Sequence, residues 1–550
     1  MEKRSEANRS DRKWKFSIPD STGAALFLLT AVFLICSMTL CTGKDIWYDE
    51  LFTMEFSERP VAQLISLTAQ DVHPPLYYIL VRAALLTGKA FVPAANPIVI
   101  AKLTSVLPFW LILLYSLMLL RRNFGWLTAG LFSFCVVTMP QMADYTVEVR
   151  MYSWALFFVT AAALHAYEIM KDSISGYGRW DVKNGILMLL FGIAACYTHY
   201  YACIAVGVLY LLLMIWMITQ VILSGRMQSG ENSCMDYRGL GTVVICMNVT
   251  VLAFLPWIRA VAMQVHSVKA SYWIQPLTWR SIGGCIRFLF KPAFTDDYLS
   301  TFMAVLLFGI FAVFLIAAFM HLKSSQEREK KLKLQFALFC MGIMLGLVAA
   351  GFIASALIRP VFVYRYMLPA CGAFWLSFAI LAGLLQQDTG MQKQKKIQVL
   401  YMAAVVIFVL TGIRDFHAFR GNELYKKVQM ENTQEQLSKL PKDTKIVCNF
   451  GHVQALVSYA RGNEETVYLY GSEPEAMICK VMTGLDTISD ASQIRKWLEE
   501  GDQVIFLGSF NSRQDILNQW KEENDIVAED EGSCMYERYW FDIFSLKLAE

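Results

Sequence analysis

Apolar runs near the length of a bilayer crossing recur from residue 21 to residue 414, a pattern that a soluble fold does not produce. With 56% hydrophobic and 17% charged residues, the chain carries more apolar surface than a soluble core of 550 residues hides, so lipid must solvate much of it. The first run, Gly23 to Thr42, follows a basic leader with Lys3, Arg4, Arg9, Arg12, Lys13 and Lys15. It is longer than the apolar region of a secretion signal and lacks an obvious cleavage site, so an uncleaved first span with a cytoplasmic N-terminus is expected.

Further spans are expected near 98–120, 124–142, 150–170, 184–198, 201–222, 241–262, 299–321, 336–357, 366–386 and 398–414, which with the first make eleven. The basic linkers, Arg121 and Arg122, Lys171 to Lys183, Lys323 to Lys333 and Lys393 to Lys396, then all fall on the cytoplasmic side, as the positive-inside rule requires. The scheme needs Leu76 to Val92 not to cross. That segment carries Arg82, Gly88 and Lys89 and reads as a helix lying in the interface, with eleven to thirteen spans as the range. The polar segments Gly43 to Pro75, Met142 to Val149, Ala262 to Tyr298 and Arg359 to Tyr366 are then outside, together with the tail from Arg414.

The tail changes composition. Expected strands at Lys445 to Phe450, Thr466 to Tyr470, Gln503 to Phe510 and Tyr539 to Leu546 alternate with expected helices at Val453 to Ala460, Ala491 to Glu500 and Arg513 to Glu523, which describes a small α/β domain. The expected organisation is a cytoplasmic N-terminus over 1–20, a transmembrane region over 21–414 and an extracytoplasmic α/β domain over 415–550. The fold class is an all-α polytopic protein of the cell membrane carrying this domain. Most of the thirteen cysteines are scattered through apolar stretches without the paired spacing of a zinc site, and two of Cys448, Cys479 and Cys534 could pair in the tail. A net charge of +3 gives no sign of a nucleic-acid partner.

Three outer segments concentrate chemistry-bearing residues. The first loop opens D-I-W-Y-D-E-L-F and closes D-V-H-P-P-L-Y-Y, supplying Asp45, Asp49, Glu50, Asp71, His73, Tyr77 and Tyr78 at headgroup depth. Asp45 and Glu58 read as helix caps or dipole partners. Asp49 and Glu50, flanked by Trp47, Tyr48, Leu51 and Phe52, read as carboxylates shielded from bulk water and suited to deprotonating an acceptor. The second segment, D-Y-T-V-E-V-R-M-Y-S, holds Asp144, Glu148, Arg150 and Tyr152, with Glu148 and Tyr152 placed on one helix face at i, i+4. An ordinary span end with an interfacial Tyr and a snorkelling Arg is the plain alternative. The third, R-P-V-F-V-Y-R-Y-M-L-P, holds Arg359, Arg365 and Tyr366, and guanidinium groups are favoured partners of phosphate oxygens. Tyr197, His199, Tyr200 and Tyr201 read as an aromatic belt. Tyr272 and Trp273 could stack a sugar or anchor an interface.

The W-Y-D-E start, the D-x-H-P-P-L-Y-Y close, the E-x-R-M-Y-S turn, L-P-W at Leu255 to Trp257 and R-P-x-x-x-Y-R-Y-M-L-P together resemble the dolichyl-phosphate-mannose mannosyltransferase-like proteins. These are glycosyltransferase family 39 and its bacterial relatives, including the lipid A aminoarabinose transferases, within the GT-C superfamily. The resemblance spans roughly residues 20 to 415 in order and orientation. It implies a GT-C fold with interfacial helices in a large first loop, a polyprenyl-phosphate-linked sugar donor, and a lipid, glycan or protein acceptor. It implies Asp49 as the catalytic base with Glu50 beside it, and Arg150, Arg365 and Tyr366 as donor phosphate ligands. Asp71, His73, Tyr77, Glu148, Tyr152, Tyr272 and Trp273 are the remaining candidate substrate contacts. The chain departs from the aminoarabinose transferases in having His73 where they carry a Lys shortly before the helix that follows the first loop, which speaks against a lipid A acceptor. Its tail lacks the repeat signature of eukaryotic protein mannosyltransferases, so a protein acceptor gains no support.

The expected function is inverting glycosyl transfer on the outer face of the membrane. No cofactor is required, although Mg or Mn near Asp49, Glu50, Asp71 and His73 is chemically feasible. The rivals are a transporter or flippase of lipid-linked sugar, which would place ionisable residues deep within spans, and a non-catalytic membrane scaffold.

Overall fold

The computed structural model describes residues 18–549 except 44, 176–181, 228–236, 271–273, 324–326, 388–394, 463–464 and 537–538. Among the described residues, nine helices are long and apolar enough to cross a membrane. With the shorter apolar helices Trp126–Thr138 and Val182–Thr198 they occupy the positions of the eleven expected spans. The chain is a multi-pass membrane protein.

Helix α1 (Ile18–Leu40) leads into three short helices, α2 (Tyr48–Glu58), α3 (Val61–Thr68) and α4 (Leu76–Phe91). At 16 residues α4 is about 24 Å long, less than the ~30 Å hydrocarbon layer. It buries Tyr77, Tyr78 and Val81 against the bundle and exposes Leu86 and Phe91, the two-faced character of a helix lying in an interface.

Helix α5 (Pro97–Tyr115) passes through a π turn at Ser116–Leu120 into α6 (Arg121–Phe124), followed by α7 (Trp126–Thr138), α8 (Tyr152–Ser175), α9 (Val182–Thr198) and α10 (Tyr200–Met227). Then come α11 (Tyr237–Phe254), α12 (Ile258–Ala270), α13 (Arg280–Phe290), α14 (Asp297–Lys323), α15 (Arg328–Leu357), α16 (Leu368–Gln387) and α17 (Lys395–Lys439).

The bundle is organised around α8 and α16, the two spans whose apolar windows are entirely buried. Their first turns adjoin Arg150 and Arg365, so packing alone brings those two arginines to the centre of one end of the bundle. Helices α1 and α7 cross in backbone contact: a Cβ on Gly130 would lie 1.9 Å from the Gly23 carbonyl oxygen, and only small residues permit such an approach. At the opposite end Arg122 pairs with Glu168 at 2.7 Å and Lys171 donates to Asn123 at 2.8 Å.

The composition break at Arg414 does not end a helix. Helix α17 runs 45 residues, about 68 Å, and continues to Lys439 as a stalk, because its polar second half still makes helix-forming pairs such as Lys426 with Glu423.

Beyond it stands a six-stranded sheet of order β3-β2-β1-β4-β6-β5. Strands β1 (Lys445–Cys448), β2 (Val467–Tyr470), β3 (Asp486–Ile488) and β4 (Val504–Gly508) are parallel, and β5 (Ile526–Tyr536) and β6 (Tyr539–Leu548) form an antiparallel pair on β4. Helices α18 (Gly451–Ala460), α19 (Ser492–Glu500) and α20 (Ser512–Asn524) connect them. Trp520 is fully buried against Phe506 and Tyr470, a core large enough to hold a small sheet. Thr433 on α17 exchanges hydrogen bonds with the Met535 backbone and ties the stalk to β5. Cys448, Cys479 and Cys534 are free thiols.

Candidate active site

The adjacent carboxylates Asp49 and Glu50 point to different places. Glu50, 5% exposed, stands in the first turn of α2, and one of its oxygens reaches back to the Trp47 N–H at 3.2 Å, the return arm of a capping box. Its other oxygen accepts the Val149 N–H at 2.8 Å, ninety-nine residues away. Burial pushes the Glu50 carboxyl above the usual carboxylate range, opposed by the charge of Lys102 and by these N–H groups. The side chain therefore fastens the start of α2 to the 144–150 turn. Lys102 on α5 is 4% exposed and pairs with Asp45 at 2.8 Å. Asp45 is thus the partner of a buried lysine rather than the helix cap expected from its position.

Asp49 keeps 27% of its side chain exposed, with Oδ2 3.8 Å from Arg150 Nη2. Arg150 is buried and donates Nη1 to the Asp49 carbonyl at 3.2 Å and toward Thr53 Oγ1 at 3.5 Å, so it grips the backbone of α2 while holding its charge beside the carboxylate. Arg365 lies in the turn before α16, its guanidinium carbon 6.0 Å from the centre of the Tyr152 ring. The Nε atoms of Arg150 and Arg365 and the hydroxyls of Tyr78 and Tyr152 are buried without a protein hydrogen-bond partner. Four donors in one place with unused capacity suit an anionic ligand with several acceptor oxygens.

Val149 to Met151 form a turn, and α8 begins only at Tyr152. Glu148 and Tyr152 therefore do not share a helix face, contrary to expectation. Glu50 captures the Val149 N–H, and the Arg150 N–H turns back to the Glu148 carbonyl at 2.7 Å, which keeps this stretch out of the helical ladder. Glu148 is buried at the edge of a small cavity of about 40 Å³ shared with Asp45, Glu50 and Lys102.

At the close of the first loop Asp71 Oδ2 lies 3.2 Å from His73 Nδ1. Tyr77 and Tyr78 are fully buried, with Tyr78 packed on Phe56 of α2. His73 faces His199 at 6.0 Å between ring centres, and His199 in turn faces Tyr152 at 5.5 Å and Tyr366 at 5.1 Å. The expected aromatic belt at 197–201 accordingly turns inward at His199 and Tyr201, both buried; the Tyr201 hydroxyl is spent on the Val361 carbonyl at 3.0 Å. Trp257 of the L-P-W turn donates to the Tyr200 hydroxyl at 3.0 Å, and Gln264 donates to the Thr68 carbonyl at 2.9 Å, which docks α12 on α3.

These contacts frame a cavity of about 340 Å³. Ile204, Val261, Val265 and Ala354 wall it with hydrocarbon, and His73, His199 and Tyr366 form its polar end. Tyr272 and Trp273 lie outside the described residues. Among the described residues no group of three His, Cys, Asp or Glu side chains is disposed to hold a metal ion.

Of the side chains brought together here, Lys102 was not anticipated from the sequence, and His199 was read only as part of an aromatic belt. Lys102 had a signal, as the single charge within the otherwise apolar helix Pro97–Tyr115, where an ionisable residue asks for a partner. His199 had a weaker one, a polar interruption between two apolar helices.

No protein-family model and no curated protein matches the sequence. Among solved structures, the fold is similar to ArnT from Cupriavidus metallidurans in the apo state, with a TM-score of 0.54 and 11% identity over 96% of this chain and 98% of that one. The same protein bound to undecaprenyl phosphate gives a TM-score of 0.53 at 10% identity, again over 96% and 98%. The archaeal oligosaccharyltransferase AglB from Archaeoglobus fulgidus, in complex with an inhibitory peptide and a dolichol-phosphate, gives 0.43 at 10% identity over 81% of this chain and 64% of its own. The fold is thus similar to that of ArnT.

Proposed function

We propose that the chain is a membrane glycosyltransferase that takes a sugar from a polyprenyl-phosphate donor and passes it to an acceptor on the extracytoplasmic side. The observation that carries this reading is a juxtaposition: the partly exposed Asp49 beside two arginines with unused donors, next to a cavity with hydrocarbon walls and a polar end. A lipid-linked sugar has the matching parts, an apolar chain, a phosphate and a reacting carbon. The ArnT-like fold, seen in that protein with undecaprenyl phosphate bound, supports the reading by analogy.

In the proposed reaction Asp49 takes the proton from an acceptor hydroxyl or amine as that atom forms its bond to the anomeric carbon. The bond from that carbon to the phosphate oxygen breaks, inverting the centre, and polyprenyl phosphate leaves with the bonding pair. Arg150, Arg365, Tyr152 and Tyr78 supply positive charge and O–H donors where negative charge grows on the leaving phosphate, and fixed donors in a water-poor site act there without reorganising. Tyr366 and the Asp71–His73 pair close the polar end of the lipid cavity. Glu50 and Lys102 hold the start of α2 in place. The extracytoplasmic assignment rests on Arg121, Arg122 and Lys171, which lie at the bundle end opposite the site.

The test is transfer of radiolabelled sugar from a panel of polyprenyl-phosphate donors in membranes containing the chain. Transfer from one donor, dependent on the chain, is expected. Absence of transfer from every donor that labels control membranes would overturn the reading.

A further inference from the structure

The carboxyl ends of β1 and β4 flank the point where the strand order of the sheet reverses, the crevice in which open α/β sheets receive their ligands. Asn449 closes the bottom of that crevice, donating to the Ser509 carbonyl and accepting the Ser509 N–H, both at 2.9 Å. Phe450 and Phe510 meet edge to face above it. At its mouth, in the first turn of α18, stands His452. A side chain from the first loop of the membrane region sits on that ring: Tyr48 of α2 stacks flat on His452, with centres 3.9 Å apart and planes 3° from parallel. The Tyr48 hydroxyl donates to Glu475 at 3.0 Å, and Tyr48 is itself buried.

Further bonds join the same two regions. Arg59, just past the end of α2, donates to the Val481 carbonyl, and Lys480 donates to Gln70 at 2.7 Å.

Tyr48 immediately precedes Asp49 on one helix, so their side chains leave the axis about 100° apart. One faces the sheet and the other faces Arg150. We propose that the sheet unit is a clamp that sets the rotation of α2, with His452 and Glu475 as positioning residues for Asp49 acting through Tyr48. The proposal rests on the glycosyltransferase reading for its kinetic consequence and on contacts alone for the clamp itself. A turn of roughly 20° about the axis moves a carboxylate ~5 Å from it by close to ~2 Å. Misplacement by about 1 Å costs on the order of a hundredfold in rate.

The experiment uses the purified full chain in phospholipid nanodiscs. Backbone hydrogen exchange is followed across residues 47–58 and across strands β1 and β4, and donor-dependent transfer is measured on the same samples. His452→Ala is expected to speed exchange across 47–58 roughly three- to tenfold while the strands stay protected, as loss of an aromatic pair would. It is expected to lower kcat about tenfold or more with KM for the donor within about twofold. His452→Phe, which keeps a flat ring, is expected to restore both.

Wild-type exchange across 47–58 in His452→Ala would overturn the clamp. Faster exchange with unchanged kcat would overturn the positioning of Asp49. Should His452→Ala loosen the strands as well, Tyr48→Phe, which removes only the hydroxyl bonded to Glu475, carries the test by the same criteria. A wild-type chain that transfers no sugar would count against the proposed function, while the exchange result would still decide the clamp.

Discussion

Two groups of charged and polar side chains meet at the start of α2 and are built in opposite ways. In the Asp45–Lys102–Glu50 group, Lys102 and Glu50 are almost wholly buried, both Glu50 oxygens accept backbone N–H groups, and Lys102 is paired at 2.8 Å; only Asp45 Oδ1 lacks a partner. In the Asp49–Arg150–Arg365 group the carboxylate is partly exposed, its nearest cation is 3.8 Å away, and two guanidinium Nε atoms and two tyrosine hydroxyls have no protein partner. Buried polar groups that satisfy one another fix an arrangement. Groups held in place yet unsatisfied have capacity left for a ligand. Carboxylates one residue apart thus differ, Glu50 holding the helix and Asp49 keeping an exposed edge beside Arg150, where the proposed reaction would use it.

Substitutions on either side of this division sharpen or break it. Lys102→Met leaves Asp45 and Glu50 without their buried cation and is expected to destabilise the protein by ~3–5 kcal/mol, read as a lowered thermal unfolding midpoint in detergent. A loss under about 1 kcal/mol would place Lys102 outside the structural group. Arg365→Ala is expected to do the reverse, lowering transfer about 10²- to 10³-fold with the unfolding midpoint nearly unchanged. Glu50→Gln turns one acceptor into a donor facing a backbone N–H and is expected to cost ~1–3 kcal/mol of stability.

A pH dependence is expected at Glu55 on α2. Burial, with Glu58 adding and Arg59 opposing, raises its carboxyl from 4.5 to about 7. The folded state then holds a proton that the unfolded chain releases near 4.5, so this residue's contribution to stability falls as pH rises from about 4.5 to about 7 and is flat above. Glu55→Gln should remove that part of the slope in a pH series of unfolding midpoints, and an unchanged slope would contradict it.

The positions of the spans were legible because each is a run of apolar residues and lipid imposes a minimum length. The expected strands at 445–450 and 503–510 were legible for a similar reason, since buried parallel strands are short continuous apolar runs. Strand β5 was not: its centre reads A-E-D-E-G-S, with Gly532 at φ 104° beside a register shift, and an edge strand paired on one side tolerates such charge. At the site, residue types pointed to Asp49, Arg150 and Arg365 as chemistry. The division between Asp49 and Glu50 was hidden, because it depends on Val149 and Lys102, which reach Glu50 only through the fold. The Tyr48–His452 stack joins residues four hundred positions apart and leaves no local trace in the sequence.

The most direct measurement compares sugar transfer by the wild-type chain and by Asp49→Asn, purified and reconstituted, with thermal unfolding recorded on the same samples. The result expected is a loss of about 10²- to 10⁴-fold in transfer, the usual contribution of a general base, with an unchanged unfolding midpoint. Transfer by Asp49→Asn at the wild-type rate would contradict the assignment of Asp49 as the base.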